Sequence, residues 1–353
     1  MIIQRTASGV QISAPAKINL FLNVLRPRSD GYHEVQTLLC PITLFDQLSF
    51  EVTQHSHIEF ELALPDTQPQ PAATEPSTAS LPGSSKGLLG SSQGFLATPA
   101  IPIPAGSDPA WDIPADSSNL VVRAVRRVQH TLGTQLGCRI QLRKAIPAAA
   151  GLGGGSSDTA AAIVASLVSW QGWNRGLAEH IAAEIGSDVP FFLGSPDGIG
   201  LALASGRGEL CQTLTARPAL DVLVTHPPVG CSTREVYQNC AVYGKPQSFQ
   251  EIVDACETGQ LKKIGAQLFN TLQLPAAALT HWIDRQLNLL TDIGATHVLM
   301  SGSGSSCFAL VDDPQCAERL RRIAPALGIT RTYAVQAWYA ESIEQQLAKL
   351  SLA

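Results

Sequence analysis

Alternating apolar and polar residues mark two long stretches near the N-terminus of the chain. The first, 12–25, has apolar residues at positions 18, 20, 22 and 24, and the second covers 35–44. Successive side chains of a strand point to opposite faces, so this alternation predicts two β-strands. The other face of the first strand then carries Lys17, Asn19, Phe21 and Asn23.

Further along the chain, stretches with helical spacing of apolar residues alternate with short apolar runs. The helical spacing predicts helices near 119–131, 157–170, 176–185, 248–269, 276–293 and 314–326. The short runs predict strands near 138–142, 221–225, 297–300, 307–311 and 333–339. The break at Arg217-Pro218 suggests a boundary between two domains, 1–217 and 218–353. Because strands and helices are mixed in each half, the predicted fold class is α+β with two domains.

One segment of the N-terminal half, about 65–115, differs in composition from its surroundings. It holds ten of the 23 prolines but only five charged residues, and Ser, Gly, Thr and Ala fill most of the rest. Proline is excluded from helix interiors and central strands, and the segment offers little that could build a core. We therefore expect a disordered insertion within the first domain. Docking of a partner protein to its prolines is the alternative.

A glycine-rich segment joins the strand at 138–142 to the helix at 157–170. It reads Gly151-Leu152-Gly153-Gly154-Gly155-Ser156-Ser157-Asp158, and its serines and aspartate are residue types that cap helices. Unpaired N–H groups at a helix start bind anions, which favours a phosphate site over a flexible linker. The segment lacks the lysine of GxxxxGK[ST] and the last glycine of GxGxxG. A cation for the phosphates must therefore come from another part of the chain.

Composition limits the classes of partner. With 24 basic and 29 acidic residues the net charge is −5, and no basic stripe suggests binding of nucleic acid. The eight cysteines form no CxxC pair, which favours buried thiols over a zinc site or disulfides. The sequence contains neither a signal-peptide core nor a run of about 18 apolar residues. We expect a cytoplasmic protein that binds neither nucleic acid nor a membrane.

Three further segments carry residues that could do chemistry. Tyr32 and His33 follow a turn and could stack on, and hydrogen-bond, a flat heterocycle. Asp188 borders a very apolar segment, where it is either a turn aspartate or a catalytic base. The six small residues at 301–306 form either a hairpin turn or a close approach to an anion or to the first loop. From the residues alone, these alternatives stay open.

Several of these segments resemble, in order, the motifs of the GHMP small-molecule kinases. The three main matches are PAKINLFL at 15–22, PAAAGLGGGSSDTAAA at 147–162 and SGSGSSCFAL at 301–310. Four shorter ones are DGYHE at 30–34, SNLVVRA at 118–124, GSDVPFF at 186–192 and GRGE at 206–209. The resemblance covers the chain except about 65–115. It implies a ribosomal-protein-S5-like N-terminal domain and a ferredoxin-like C-terminal domain.

The resemblance also implies an ATP-dependent reaction, with Mg²⁺ neutralising the phosphates. Asp188 would take a proton from the acceptor hydroxyl as it attacks the γ-phosphorus, and Lys17 would keep Asp188 ionised and offset the phosphoryl charge. The resemblance implies that Asn119 and Lys144 line the adenine side of the ATP site. The implied phosphate-binding residues are Pro147, Ala148, Ala149, Ala150, Gly151, Leu152, Gly153, Gly154, Gly155, Ser156 and Ser157. The implied acceptor-binding residues are Asn19, Tyr32, His33 and Tyr237, with His33 reading a cytosine edge.

Two other functions compete with this interpretation. A related kinase could act on another alcohol, such as mevalonate or homoserine, but those acceptors carry no base for Tyr32 and His33 to read. A catalytically silent metabolite-binding regulator would need no base, and yet Lys17 and Asp188 are both present. The expected small-molecule partners are ATP and a cytidine diphosphate-linked sugar alcohol, and the expected state is a monomer or homodimer.

Overall fold

The structure is a computed structural model that describes residues 1–65, 109–240, 248–313 and 315–352. The strands are β1 Ile2–Arg5, β2 Gly9–Pro27, β3 His33–Thr53, β4 Ile58–Ala63, β5 Gly137–Arg143, β6 Ala202–Ser205, β7 Leu210–Thr213, β8 Asp221–His226, β9 Phe269–Asn270, β10 His297–Met300, β11 Cys307–Val311 and β12 Arg331–Gln336. The α-helices are α1 Leu120–Leu132, α2 Gly154–Ser169, α3 Arg175–Ile185, α4 Val189–Leu193, α5 Thr233–Gln238, α6 Phe249–Thr258, α7 Leu261–Ala266, α8 Gln273–Leu279, α9 Trp282–Asp292, α10 Gln315–Ile323 and α11 Ile343–Leu352. Short 3₁₀-helices are at Pro109–Trp111 and Ala324–Leu327.

The first sheet is built around the long antiparallel pair of β2 and β3. Its strands follow the order β1-β2-β3-β5-β4, while β6 and β7 extend from β3 and β9 joins β2 in parallel. Helices α1, α2 and α3 pack together, and α2 also contacts β2 and β3. Because other elements surround α2, its side chains from Ser157 to Leu167 are buried, including the small apolar run after the glycines.

A shift in strand register changes which side chains of β2 share a face. The pairing with β3 slips by one residue between Asn19 and Phe21, and such a bulge reverses the alternation of side chains beyond it. Phe21, which we expected beside Lys17 and Asn19, packs instead against Phe249 and Phe269, with ring centroids 5.2 and 5.5 Å away. The expectation for Phe21 was therefore wrong, whereas Lys17 and Asn19 do lie together.

The second sheet is formed by the C-terminal half of the chain. Its antiparallel strands follow the order β10-β11-β8-β12, and helices lie between β8 and β10 and between β11 and β12. In chain order this is a βαββαβ unit, which is the ferredoxin-like arrangement. One buried cluster, with Ile18 and Leu20 from the first sheet and Val224 and Phe308 from the second, joins the two sheets.

The C-terminal half differs from the expected pattern where its long helices are interrupted. The helix expected at 248–269 is divided into α6 and α7, because α6 ends at Gly259 in the left-handed conformation, and β9 follows. The helix expected at 276–293 is likewise divided into α8 and α9. Strand β9 and helix α11 both return to the first sheet, through β2 and β1 respectively. The division of the chain after residue 217 stays a prediction.

The expected insertion at 65–115 lies for the most part, at 66–108, outside the described residues. Its last residues are described, and they contact both the glycine-rich loop and β12. Ala110 is buried and its carbonyl accepts a hydrogen bond from the Ala148 N–H, while the Arg331 guanidinium lies 5.7 Å from the Trp111 ring centroid. These contacts correct the expected end of the insertion, because residues 109–111 are a folded 3₁₀-helix beside the glycine-rich loop.

Candidate active site

A cavity of about 1000 Å³ lies where β2, the glycine-rich loop, α5 and a second Gly/Ser loop, residues 301–306, meet. Of the residues predicted from the sequence, those in its wall are Lys17, Asn19, Tyr32, His33, Pro147, Ala148, Ala149, Ala150, Gly151, Gly153, Gly154, Gly155, Ser156, Asp188 and Tyr237. This volume is at the upper end of the range for small-molecule sites, so the cavity has room for more than one ligand.

The glycine-rich loop ends in the first turn of α2. The N-cap of this helix is Gly153, with a φ of 70°, and Gly154 begins the helix. Ser156, Ser157 and Asp158, which we expected to act as caps, lie inside the helix instead. Because the N-cap residue is a glycine, no capping side chain binds the first N–H groups of α2. These N–H groups are therefore available to an anion at this edge of the cavity.

Two glycines are required by the packing of this loop. A Cβ atom on Gly151 would lie 2.1 Å from the Ser301 carbonyl oxygen, and one on Gly153 would lie 2.9 Å from Phe192 Cζ. The Gly153 Cβ would also lie 3.0 Å from Cγ of Lys17, whose backbone N–H donates to the Leu152 carbonyl at 2.9 Å. The loop is thus fitted closely around the stem of Lys17.

Replacement of Gly153 by alanine should disturb this fit. The substitution combines a left-handed backbone with a crowded Cβ, so we expect Gly153→Ala to lower the free energy of unfolding by about 1–3 kcal/mol. Gly155→Ala is the matched control, since its Cβ meets nothing within 4 Å and its helical position tolerates alanine. Urea unfolding of both variants checks the prediction, and equal stabilities would contradict it.

The second Gly/Ser loop, 301–306, packs directly on the first. Ser301 Oγ donates to the Gly151 carbonyl at 2.9 Å, and the Ser306 N–H donates to the Ala150 carbonyl at 3.1 Å. Behind it, His226 Nδ1 lies 3.0 Å from Ser306 Oγ, and burial lowers the pKa of His226 to about 4. His226 is therefore neutral near pH 7, and the loop is held by hydrogen bonds at both ends. Both expectations for these residues are observed, because the segment is the turn of the β10–β11 hairpin and also approaches the first loop.

Lys17 and Asp188 face each other between the glycine-rich loop and the rest of the cavity. Lys17 Nζ lies 3.4 Å from Asp188 Oδ2 and donates to Asn19 Oδ1 at 2.6 Å. Asn19 Nδ2 donates to Thr37 Oγ1 at 2.8 Å, and this hydroxyl donates to the Phe21 carbonyl at 2.6 Å. The chain of hydrogen bonds fixes a buried ammonium beside a carboxylate that is 37% exposed to the cavity.

An aromatic cluster forms another part of the wall. The rings of His33 and Tyr237 lie 5.2 Å apart, and the Arg207 guanidinium lies 4.8 Å from the centroid of Tyr32. Burial and the Asp188 carboxylate raise the pKa of Tyr237, so its hydroxyl stays protonated at neutral pH. Flat ring faces with polar atoms at their edges suit a planar heterocycle.

Four of the predicted nucleotide-binding residues do not line the cavity. Asn119 caps α1, with its Oδ1 accepting from the Val121 N–H at 2.9 Å. Leu152 and Ser157 belong to the glycine-rich segment, but their side chains are buried away from the cavity. Lys144 is also buried, and its ammonium is paired with Asp158 at 2.6 Å and with Asp46. Asn119 and Lys144 thus make contacts within the protein, and their expected place on the adenine side stays a prediction.

Some other residues of the wall were not among the site residues predicted from the sequence. These include Thr37, Ser187, Arg207, Thr233, Arg234 and Ser303. Arg207 belongs to GRGE at 206–209, and this resemblance was the one signal that could have found it. Arg234 and Thr233 begin a six-residue helix, which is too short for hydrophobic periodicity to reveal.

The described part of the chain contains neither a cluster of metal ligands nor a membrane-spanning helix. Within it, no group of three or more His, Cys, Asp or Glu side chains is placed to hold a metal ion. Every helix described there is too short or too polar to span a bilayer.

Sequence profiles of the GHMP kinases match both halves of the chain. The N-terminal domain of these kinases matches residues 119–195, and the C-terminal domain matches 252–330. A curated relative from Rhodopirellula baltica is 35% identical over 90% of this chain and 93% of its own length. The chain therefore belongs to the GHMP kinase family, whose members are ATP-dependent kinases, and ATP is its co-substrate.

The relative from Rhodopirellula baltica is named 4-diphosphocytidyl-2-C-methyl-D-erythritol kinase. A relative of the same name from Pelotomaculum thermopropionicum is 34% identical over 91% of this chain and 96% of its own. A crystal structure of 4-(cytidine 5'-diphospho)-2C-methyl-D-erythritol kinase is similar with a TM-score of 0.64 and 29% identity, covering 94% of this chain and 99% of that one. A homoserine kinase from Cytophaga hutchinsonii, at 16% identity and a TM-score of 0.62 over 97% and 98% of the two chains, shows the fold alone.

Proposed function

We propose that this protein transfers the γ-phosphoryl group of ATP to the C2 hydroxyl of 4-diphosphocytidyl-2-C-methyl-D-erythritol, a step of the non-mevalonate route to isoprenoid precursors. One observation carries the proposal. A single cavity holds a Lys–Asp pair between an anion-binding helix start and an aromatic cluster suited to a base. The names of the chain's relatives support the same acceptor.

In this reaction Asp188 is the general base. Its carboxylate, exposed to the cavity, accepts the proton of the acceptor hydroxyl as the hydroxyl oxygen attacks the γ-phosphorus and the bond to the β-phosphate oxygen breaks. Lys17 donates to Asn19 and faces Asp188, so its ammonium is fixed where negative charge develops. Positioning and electrostatic stabilisation of this kind are the main contributions of a protein to phosphoryl transfer.

The phosphates of ATP lie on the N-terminal N–H groups of α2 in this proposal. Mg²⁺ takes oxygen ligands, mostly from substrate phosphates and water and only one or two from carboxylates. The Ser156 hydroxyl lines the same cavity and would suit such a loosely held ion, which would neutralise phosphate charge. The contacts of Asn119 and Lys144 with adenine remain predictions, and both side chains also hold contacts within the protein.

A comparison of acceptors tests the proposed function. The purified protein should consume ATP with 4-diphosphocytidyl-2-C-methyl-D-erythritol and be nearly inactive with mevalonate and homoserine, which offer no base to His33 and Tyr237. Turnover of mevalonate or homoserine would identify another kinase of the family. ATP binding without turnover of any of the three would favour the silent regulator. Cytoplasmic location and a monomeric or homodimeric state remain predictions.

The His33 side chain should discriminate between the two substrates. We expect His33→Ala to raise the KM for the cytidylyl acceptor about 5- to 100-fold and to leave the KM for ATP nearly unchanged, because a hydrogen bond to the base is lost. Initial rates with each substrate varied in turn measure both constants. His180→Ala is the control, since the His180 side chain is 64% exposed and lies outside the cavity wall. An equal rise of both KM values would show that His33 has a structural role instead.

A further inference from the structure

The basic side chains of the cavity wall differ in whether a carboxylate lies close to them. Among the described residues, the lysine and arginine side chains in this wall are Lys17, Arg207 and Arg234. Lys17 faces Asp188 at 3.4 Å, and Arg207 Nε lies 3.6 Å from Glu209 Oε1. Arg234 is exposed, and its guanidinium makes no ion pair or hydrogen bond with any described residue. It is therefore the cation of this wall whose charge is available to a ligand.

The neighbours of Arg234 place it between the two ends of the site. The preceding residue, Thr233, has its Oγ1 2.9 Å from Ser303 Oγ, on the loop that packs against the glycine-rich loop. Tyr237 follows three residues later in the same helix, α5, and its ring lies 5.2 Å from that of His33. Residues three apart are neighbours on a helix surface, so Arg234 lies beside the tyrosine of the aromatic cluster.

We infer that Arg234 binds the diphosphate of the nucleotide-linked acceptor. This inference rests on the proposed function, because it takes the aromatic cluster as the site of the base. A diphosphate attached to a nucleoside whose base lies against His33 and Tyr237 extends from the cluster toward the Lys–Asp pair, past Arg234. A guanidinium offers two parallel N–H donors to phosphate oxygens.

Binding of nucleotide fragments separates the diphosphate from the base. In titration calorimetry without ATP, we expect the wild-type protein to bind cytidine diphosphate more tightly than cytidine monophosphate. Arg234→Gln should weaken binding of cytidine diphosphate about tenfold, which is the effect of one lost charged hydrogen bond. The difference in affinity between cytidine diphosphate and cytidine monophosphate should therefore become smaller. Arg234→Lys should restore part of the affinity, because it keeps the charge. The matched control is Arg322→Gln, which removes an exposed arginine of α10 outside the cavity wall.

Steady-state kinetics distinguish the acceptor diphosphate from the triphosphate of ATP. For Arg234→Gln we expect a roughly tenfold rise in the KM for the acceptor, with the KM for ATP and kcat little changed. Added salt should raise the acceptor KM less in this variant than in the wild type, because screening then has one charge fewer to act on. A rise confined to the KM for ATP, or no change in either KM, would overturn the inference. A wild-type protein that binds no cytidine diphosphate would instead overturn the proposed function.

Discussion

Asp188→Asn should lower kcat by about 10²–10⁴, the usual contribution of a positioned general base. The amide keeps the size of the carboxylate and can still contact Lys17, but it cannot take a proton from the acceptor hydroxyl. Because the Asp188 side chain is 37% exposed and takes part in no core packing, the variant should fold normally. Its affinity for ATP should also persist, since the phosphates are assigned to the N-terminal N–H groups of α2.

A matched substitution tests whether kcat falls because the base is lost or because any negative charge is removed. Asp197→Asn removes the carboxylate of an exposed residue outside the cavity wall, and kcat should be unchanged. Single-turnover rates at saturating ATP, together with thermal unfolding, measure chemistry and stability in parallel. If the Asp188 variant turns over at near the wild-type rate, Asp188 is not the base, and the Lys17–Asp188 contact is an ion pair that only shapes the cavity.

The location of the Lys17–Asp188 pair was predictable because local signals in the sequence agree. Alternation along 12–25 placed Lys17 and Asn19 on one face of a strand, and the structure has them joined by a hydrogen bond. Glycines before an apolar helix predicted a tight turn at its start, which the positive φ of Gly153 provides. The order of the motifs along the chain identified the family, which the comparisons confirm.

The predictions that were wrong concern residues whose position depends on distant parts of the chain. Periodicity placed Phe21 beside Lys17, but a one-residue bulge moved its ring into the core, and nothing in the local sequence marks the bulge. Asp158 has the residue type of a helix cap, yet it is buried inside α2 and paired with Lys144. Asp46, the second partner of Lys144, lies 98 residues away in the sequence. No local pattern reveals such a cluster.

Removal of the Lys144 side chain should have the largest effect on stability. Its ammonium lies between the carboxylates of Asp46 and Asp158, and all three side chains are almost completely buried. Burial opposes the charge of Lys144, but the two carboxylates outweigh this and raise its pKa. We expect Lys144→Met to lower the free energy of unfolding by about 3–5 kcal/mol, because two buried carboxylates lose their cation. Lys262→Met, at an exposed position on α7, should change it by less than about 0.5 kcal/mol.

The double variant Lys144→Met/Asp158→Asn decides whether charge is the cause. Asp46 keeps two backbone donors, the Ala145 and Ile146 N–H groups at 2.6 and 2.9 Å, whereas Asp158 Oδ1 has no partner among the described residues. Burial and the Asp46 carboxylate raise the pKa of Asp158 well above its ordinary value, so its charge is the costlier one to leave unpaired. Neutralising Asp158 should therefore recover part of the lost stability in urea unfolding. If Lys144→Met instead unfolds like the wild type and only the KM for ATP rises, Lys144 contacts the nucleotide, as the family resemblance implied.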